Sequence, residues 1–243
     1  MVWRDIKTRY AQSVLGVGWA VIQPIFSMIV FTIVFGKLAK INSDGVPYAI
    51  FSYTALVPWT YFSGALTGAS GSLLGASGMM TKVYFPRLVI PIAPVISKLV
   101  DFGIAFFILL LMMVYFGFMP SIQIIYLPLL ILIMMLTAAG MGMWFTALSI
   151  KYRDIIYAMG FLVQLLMYLA PVVYPASSVP EPYRLYYGVF PMAGIIEGFR
   201  SILLKTNPMP WDLIGMGSIV SALLFISGAF YFRRMEKYFT DIV

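Results

Sequence analysis

Six stretches of this chain, at about residues 19 to 36, 48 to 66, 99 to 118, 123 to 149, 155 to 173 and 212 to 232, are apolar over lengths that suit a helix crossing a membrane. The hydrocarbon core of a bilayer is ~30 Å thick. Lipid offers no hydrogen-bond partner to a peptide group, so runs this long span only as helices. The expected fold is an all-α integral membrane domain with six spans. Charged residues make up 10% of the chain, well below the ~25% usual in soluble domains. The 243 residues include no cysteine and no histidine. That excludes thiol chemistry, disulfides, histidine metal sites and Ser-His or Cys-His nucleophiles, so no catalytic or metal-binding residue is assigned.

Before the first span, Arg4, Asp5, Lys7 and Arg9 crowd the first ten positions. On a helical wheel Val2, Trp3, Ile6, Tyr10, Ser13, Val14 and Val17 share one arc, with Arg4, Lys7, Thr8, Ala11 and Gln12 outside it. Residues 1–18 are therefore read as an amphipathic helix lying in the membrane interface, its cations on anionic headgroups and its Trp at the acyl boundary. No A-x-A cleavage pattern follows the 14–35 region, so the first span is expected to stay in the mature protein. The formal charge of +7 is attributed to juxtamembrane residues and not to nucleic-acid binding.

With the amino terminus inside, Arg4, Lys7, Arg9, Lys82, Arg87, Lys98, Lys151, Arg153, Arg233, Arg234 and Lys237 face the cytoplasm, against Lys37, Lys40, Arg184, Arg200 and Lys205 outside. This asymmetry favours both termini inside. Residues 19–173 carry spans one to five, 211–232 the sixth and 233–243 a cytoplasmic tail. Residues 174–210 are apolar in the middle, yet a seventh span there would turn Arg233, Arg234 and Lys237 outward and leave Glu197 and Arg200 at membrane depth, where charge is costly. The expectation is an outward, re-entrant pair of short helices, its broken backbone covered by protein.

Several patterns carry candidate function. Gly64, Gly68, Gly71, Gly75 and Gly78 form a bare stripe suited to close helix approach. No G-x-x-x-x-G-K-[ST] occurs anywhere in the chain. A single helix from Tyr48 to Met80 would be about 50 Å long and project into the cytoplasm. After it, Lys82 and Arg87 flank Tyr84, Phe85 and Pro86, a pattern open to a docking element or a solvated loop. Pro86, Pro91 and Pro94 argue against one continuous straight helix here.

Lys151, Arg153 and Asp154 sit in a very tight turn and read first as helix-end charges, the Asp at the positive start of the next helix. Tyr157, Phe161, Gln164 and Tyr168 recur every three or four residues, giving an aromatic and amide-bearing face suited to packing or to a sugar-lined route. Glu197 and Arg200, three residues apart, can pair with each other or across a dimer axis as a structural ion pair.

The segments "RDIKTRYAQSVLGVGWAVIQP", "KVYFPRLVIP", "KYRDI", "FPMAGIIEGFRSILL" and "FRRMEKYFTDIV" together resemble the permease subunits of type-2 ABC exporters, in the branch that moves polysaccharides and teichoic acids. The resemblance runs over the whole chain. It implies a homodimer of six-span permeases in a bacterial cytoplasmic (inner) membrane, with two copies of a separate ATPase docked beneath it, exporting a lipid-linked glycan such as an O-antigen, capsule or teichoic acid. ATP and Mg would bind the ATPase, and this chain would bind no cofactor. By the same resemblance Trp3, Arg4, Lys7, Arg9 and Tyr10 belong to the interfacial helix, and Lys82 to Arg87 touch the ATPase. Glu197 and Arg200 would help close the exit. Two other readings remain: a type-2 permease for a drug or small amphiphile, and an integral membrane enzyme acting on lipid-linked sugars. The enzyme reading lacks clustered carboxylates, because the nine acidic residues are scattered over the loops.

Overall fold

The computed structural model describes Val2 and residues 18–80 and 85–236. Every regular element among them from Trp19 onward is helical. In chain order they are α1 (Trp19–Phe31, continued as a wider π-helical turn Thr32–Leu38), α2 (Tyr48–Met80), α3 (Val89–Phe116), α4 (Leu127–Lys151, after a 3-10 turn Ile122–Tyr126), α5 (Asp154–Leu169), α6 (Glu181–Tyr187), α7 (Pro191–Leu204) and α8 (Trp211–Met235).

Four of the described helical stretches are long and apolar enough to cross a membrane: 19–38, 89–116, 122–151 and 211–235. A fifth is obtained if α6 and α7, bent by 109°, count as one. At 33 residues α2 is about 50 Å long, with the bounds expected from its sequence. It does not qualify by hydropathy, and its place in the fold says why. Ile50, Tyr53, Trp59, Tyr61, Phe62 and Leu66 are all buried, because α1, α3, α4, α5 and α7 pack on α2, while α8 packs on α4 and α7. Its polar side chains are satisfied inside the bundle. Tyr61 Oη donates to Val95 O of α3 at 2.9 Å, and Thr54 Oγ1 to Ile50 O at 2.8 Å.

Small residues set the spacing. A Cβ on Gly68 would lie 3.1 Å from Pro94, and one on Gly142 would lie 2.7 Å from Ala69. Of the expected glycine stripe, Gly64 and Gly68 face α3 and a Cβ there would meet Lys98 and Pro94; Gly71 and Gly75 face open space. The helices α4 and α8 approach until a Cβ on Gly140 would sit 2.6 Å from the Leu224 carbonyl carbon. Alongside this crossing Thr137 and Ser221 share a hydrogen bond of 2.8 Å, and Trp144 stacks on Tyr231 at 4.2 Å.

Two boundaries differ from the expected spans. α3 starts at Val89, ten residues before the expected 99, and runs through Pro91 and Pro94. Pro91 is its third residue, where the missing N–H would have had no helical partner in any case. Gly117, at φ +74°, ends the same helix in the left-handed conformation that glycine adopts without strain. α5 ends at Leu169, short of the expected 173. Ala170 precedes Pro171 and is extended (φ −76°, ψ 150°), as proline requires of its predecessor. Sixteen residues make α5 about 24 Å long.

Candidate functional site

Once α5 has stopped, residues 170–176 continue as irregular backbone that is largely buried. Buried carbonyls need donors, and here they come from side chains. Arg200 Nη2 donates to Val172 O at 3.1 Å and Nη1 to Tyr174 O at 3.3 Å, while Tyr48 Oη donates to Val173 O at 2.7 Å. Arg200 Nη1 also meets Glu197 Oε1 at 2.7 Å, and that same oxygen accepts from the Ala176 N–H at 3.1 Å. The guanidinium lies 3.5 Å above the Phe51 ring of α2. Arg200 is fully buried and the Glu197 side chain is 6% exposed. The two residues pair within one helix, as the i, i+3 spacing allows, and together they satisfy a stretch of chain that cannot satisfy itself.

Around this anchor the connecting loops converge. Asp44, in the α1–α2 loop, accepts from Ser177 Oγ on Oδ1 at 3.0 Å and from Asn207 Nδ2 on Oδ2 at 2.7 Å. One carboxylate thus ties the chain just before α6 to the chain just after α7. Ser121 N, in the α3–α4 connection, donates to Ile202 O at 2.8 Å, and Arg184 of α6 lies 2.9 Å from Asp212 at the start of α8. All fourteen residues of α7 are buried.

α5 is the opposite kind of helix, with Met159 its one buried residue. Tyr157, Phe161 and Tyr168 are 85%, 66% and 53% exposed, and Gln164 is exposed between them. The stripe read from spacing is therefore a face left exposed among the described residues. At its start Lys151, Arg153 and Asp154 are all exposed, Asp154 in the first turn of α5 and Lys151 5.3 Å over the Tyr152 ring.

At the far end of the bundle Phe85 packs partly buried against a small cluster of Leu73, Ile90, Met143, Ala147 and Phe232. Pro86 is exposed. Arg87 Nη1 donates to the Glu236 carbonyl at 3.0 Å, with Nε 3.7 Å from the Glu236 carboxylate, so it joins the start of α3 to the end of α8. Lys82, Tyr84 and the interfacial-helix residues Trp3, Arg4, Lys7, Arg9 and Tyr10 lie outside the described residues.

The model of the ABC-2 type transporter family matches residues 1–204. The chain belongs to that family. This ABC-2 transporter chain is 24% identical over 245 residues, all of its own length and 94% of the relative's, to an O-antigen export system permease protein RfbA of Myxococcus xanthus. A protein of the same name in Klebsiella pneumoniae is 23% identical over 99% of this chain and 92% of its own. The polysialic acid transport protein KpsM of Escherichia coli is 23% identical over 98% and 93%.

Within the ABC-2 chain, sequence reasoning singled out the Glu197–Arg200 pair but missed what surrounds it: Tyr48, Asp44, Ser177, Asn207 and the Arg184–Asp212 pair. It also missed the Lys98–Asp101 pair, 2.7 Å apart on α3, although the i, i+3 spacing was there to read. Lys98, expected at the cytoplasmic side of a span starting at 99, lies in the third turn of α3 because that helix starts earlier, with its stem over Gly64.

Proposed function

We propose that this chain is the membrane-spanning subunit of an ATP-driven exporter for a polysaccharide, set in the bacterial inner membrane as a multi-pass protein. The observation that carries the reading is similarity over essentially the whole chain to proteins whose names specify O-antigen export and polysialic acid transport. A type-2 ABC permease works with a separate ATPase. In this reading two copies of each assemble, both termini of the permease are cytoplasmic, and the cargo is a lipid-linked glycan.

Six spans are proposed: the four apolar helices, the largely buried α2, and the shorter α5. The α6–α7 pair is proposed as a re-entrant element on the outer face. Its support is the Asp44 clasp, because Ser177 and Asn207 bond one carboxylate and so lie at the same end of the bundle. Cysteines at Ser178 and Asn207 should both be labelled from outside by an impermeant reagent, and labelling from opposite sides would make the segment a span.

The exposed face of α5, with Tyr157, Phe161, Gln164 and Tyr168, is proposed to border the translocation path. An amide exchanges hydrogen bonds with passing hydroxyls and a ring offers its face to a pyranose without needing charge. Phe85 and Arg87 are proposed to lie beside the ATPase contact, which Lys82, Tyr84 and Pro86 would complete.

The test is complementation. A host lacking its own glycan-export permease receives this chain together with a cognate ABC ATPase, and surface glycan is measured with and without an intact ATPase. ATP-dependent surface glycan is the expected result. Glycan retained inside while a fluorescent amphiphile is pumped out would replace this reading with the small-amphiphile permease.

A further inference from the structure

A cavity of about 310 Å³ lies between the 176–177 turn, the flank of α7 and the α7–α8 connection. Its polar lining is Ser177, Arg184, Glu197 and Asn207, and Pro208, Met209 and Pro210 supply most of the rest. Each polar group is held by a bond that leaves part of it unused. Both bonds to Glu197 from within the chain fall on Oε1, from Ala176 N and Arg200 Nη1. The Ser177 hydroxyl donates its proton to Asp44 and keeps its lone pairs, and Asn207 spends an N–H on Asp44 and keeps its carbonyl oxygen. Arg184 is paired with Asp212 as an ion contact of 2.9 Å at Nε that does not meet hydrogen-bond geometry, so its N–H groups remain donors.

The formal charges at the cavity are paired with neighbours, Glu197 with Arg200 and Arg184 with Asp212. A free anion would meet the Glu197 carboxylate, and a free cation the Arg184 guanidinium. A neutral ligand that both donates and accepts at adjacent positions, with an apolar ring face for the prolines and Met209, meets neither. Vicinal hydroxyls on a pyranose are that chemistry. The volume sits at the small end of ligand sites, ~300–1,000 Å³, which suits a single ring and not a chain of them.

We propose that this cavity is a subsite for one neutral pyranose unit of the exported glycan, at the outer end of the permease beside α7. The proposal rests on the glycan-export reading and on the outward placement of α6 and α7. A weak hold on one sugar at the exit keeps a long polymer from sliding back between strokes while letting it advance on the next.

The permease is purified with its ATPase and examined by saturation-transfer NMR against methyl α-mannoside, methyl β-galactoside and methyl N-acetyl-β-glucosaminide, with glucuronate as the anionic control. Two variants are compared: Ser177→Trp, whose exposed position lets the indole fill the cavity from its rim, and Asn207→Leu, which removes an acceptor. At least one glycoside should give a signal in the unaltered protein. That signal should fall about tenfold or more in Ser177→Trp and several-fold in Asn207→Leu, with unchanged elution and only the small drop in thermal unfolding that loss of one exposed bond to Asp44 brings, and glucuronate should give none. Absence of any glycoside signal, or one that survives both substitutions, overturns the subsite. Normal glycan export by both variants in complemented cells would also overturn it while leaving the exporter reading intact. Absence of export by the unaltered protein would instead remove the exporter reading, and the glycoside measurement would still decide the cavity.

Discussion

α5 and α7 are both short, sixteen and fourteen residues, and both lie beside prolines, yet one buries a single residue and the other buries all of its own. α7 carries the charge, Glu197 and Arg200, and hides it. α5 carries the rings, Tyr157, Phe161 and Tyr168, and displays them. Hydrophobicity alone would assign them the other way round. The charges are inside because the backbone at 172–174 has left the helix and needs donors where water is excluded. The rings are outside because, among the described residues, no element packs over them. Polar groups in this protein therefore report structural need, and the exposed aromatic face reports something the chain meets outside itself.

Breaking α7 should have the largest effect. Arg200→Ala strands the Glu197 carboxylate and leaves the Val172 and Tyr174 carbonyls without their donor. Removing one partner of a buried pair costs about 3–5 kcal/mol, so folded, monodisperse protein should largely disappear from detergent extracts. The swapped double variant, Glu197→Arg with Arg200→Glu, sharpens the point. A simple ion pair would be restored by the swap. Here an arginine at 197 faces the Ala176 N–H and a glutamate at 200 faces two carbonyls, so donors meet donors and acceptors meet acceptors. The swap should fold no better than Arg200→Ala, and recovery of yield would reduce the cluster to a charge pair.

A matched pair of glycines gives the next largest difference. In α7 a Cβ on Gly194 would lie 2.8 Å from the Leu213 carbonyl carbon, whereas one on Gly160 in α5 has nothing within 4 Å. Gly194→Ala forces the start of α8 away, an overpacking cost of about 1–3 kcal/mol that outweighs the helix preference of alanine. Gly160→Ala keeps only the preference, worth about 0.5–1 kcal/mol in its favour. Thermal unfolding in detergent should therefore move down for the first and slightly up for the second. Destabilisation by Gly160→Ala together with loss of a dimer would show that a second copy packs closely on α5.

What the sequence made legible follows the same divide. The extent of α2 could be read, despite Pro58, from its charge-free run and regularly spaced glycines, and the α5 stripe from its spacing, because both signals are local. The pairing of Glu197 with Arg200 was legible for that reason too. Arg200's bonds to Val172 and Tyr174 were not, since they span 28 and 26 residues and depend on where α5 stops. Still less visible was Asp44, which reaches Ser177 and Asn207 across 133 and 163 residues of sequence. No local period encodes a carboxylate in one loop that clasps two others. The early start of α3 was hidden by two prolines: Pro91 falls in the first turn, where no helical N–H bond is lost, whereas Pro94 is carried inside the helix, against the usual habit of proline.

The smallest effect on stability, and the one that tests the other half of the comparison, is on the displayed face. Tyr157, Phe161 and Tyr168 lose little packing on replacement because most of each side chain is already exposed. Alanine at any one of them, or Gln164→Leu, should leave unfolding within about 0.5 kcal/mol of the unaltered protein, as surface substitutions usually do. Export should respond differently. If a sugar ring meets these side chains in passing, each lost aromatic contact removes about 0.5–1.5 kcal/mol from the step that uses it, which slows transport about two- to tenfold. Gln164→Leu should slow it by exchanging an amide that hydroxyls can bond for a surface they cannot. The measurement is surface glycan per unit of membrane-inserted permease, taken beside the unfolding midpoint of the same preparation. Slowed export at unchanged stability is the expected outcome. Unchanged export with the dimer lost would make the face a packing surface between copies and move the path elsewhere in the protein.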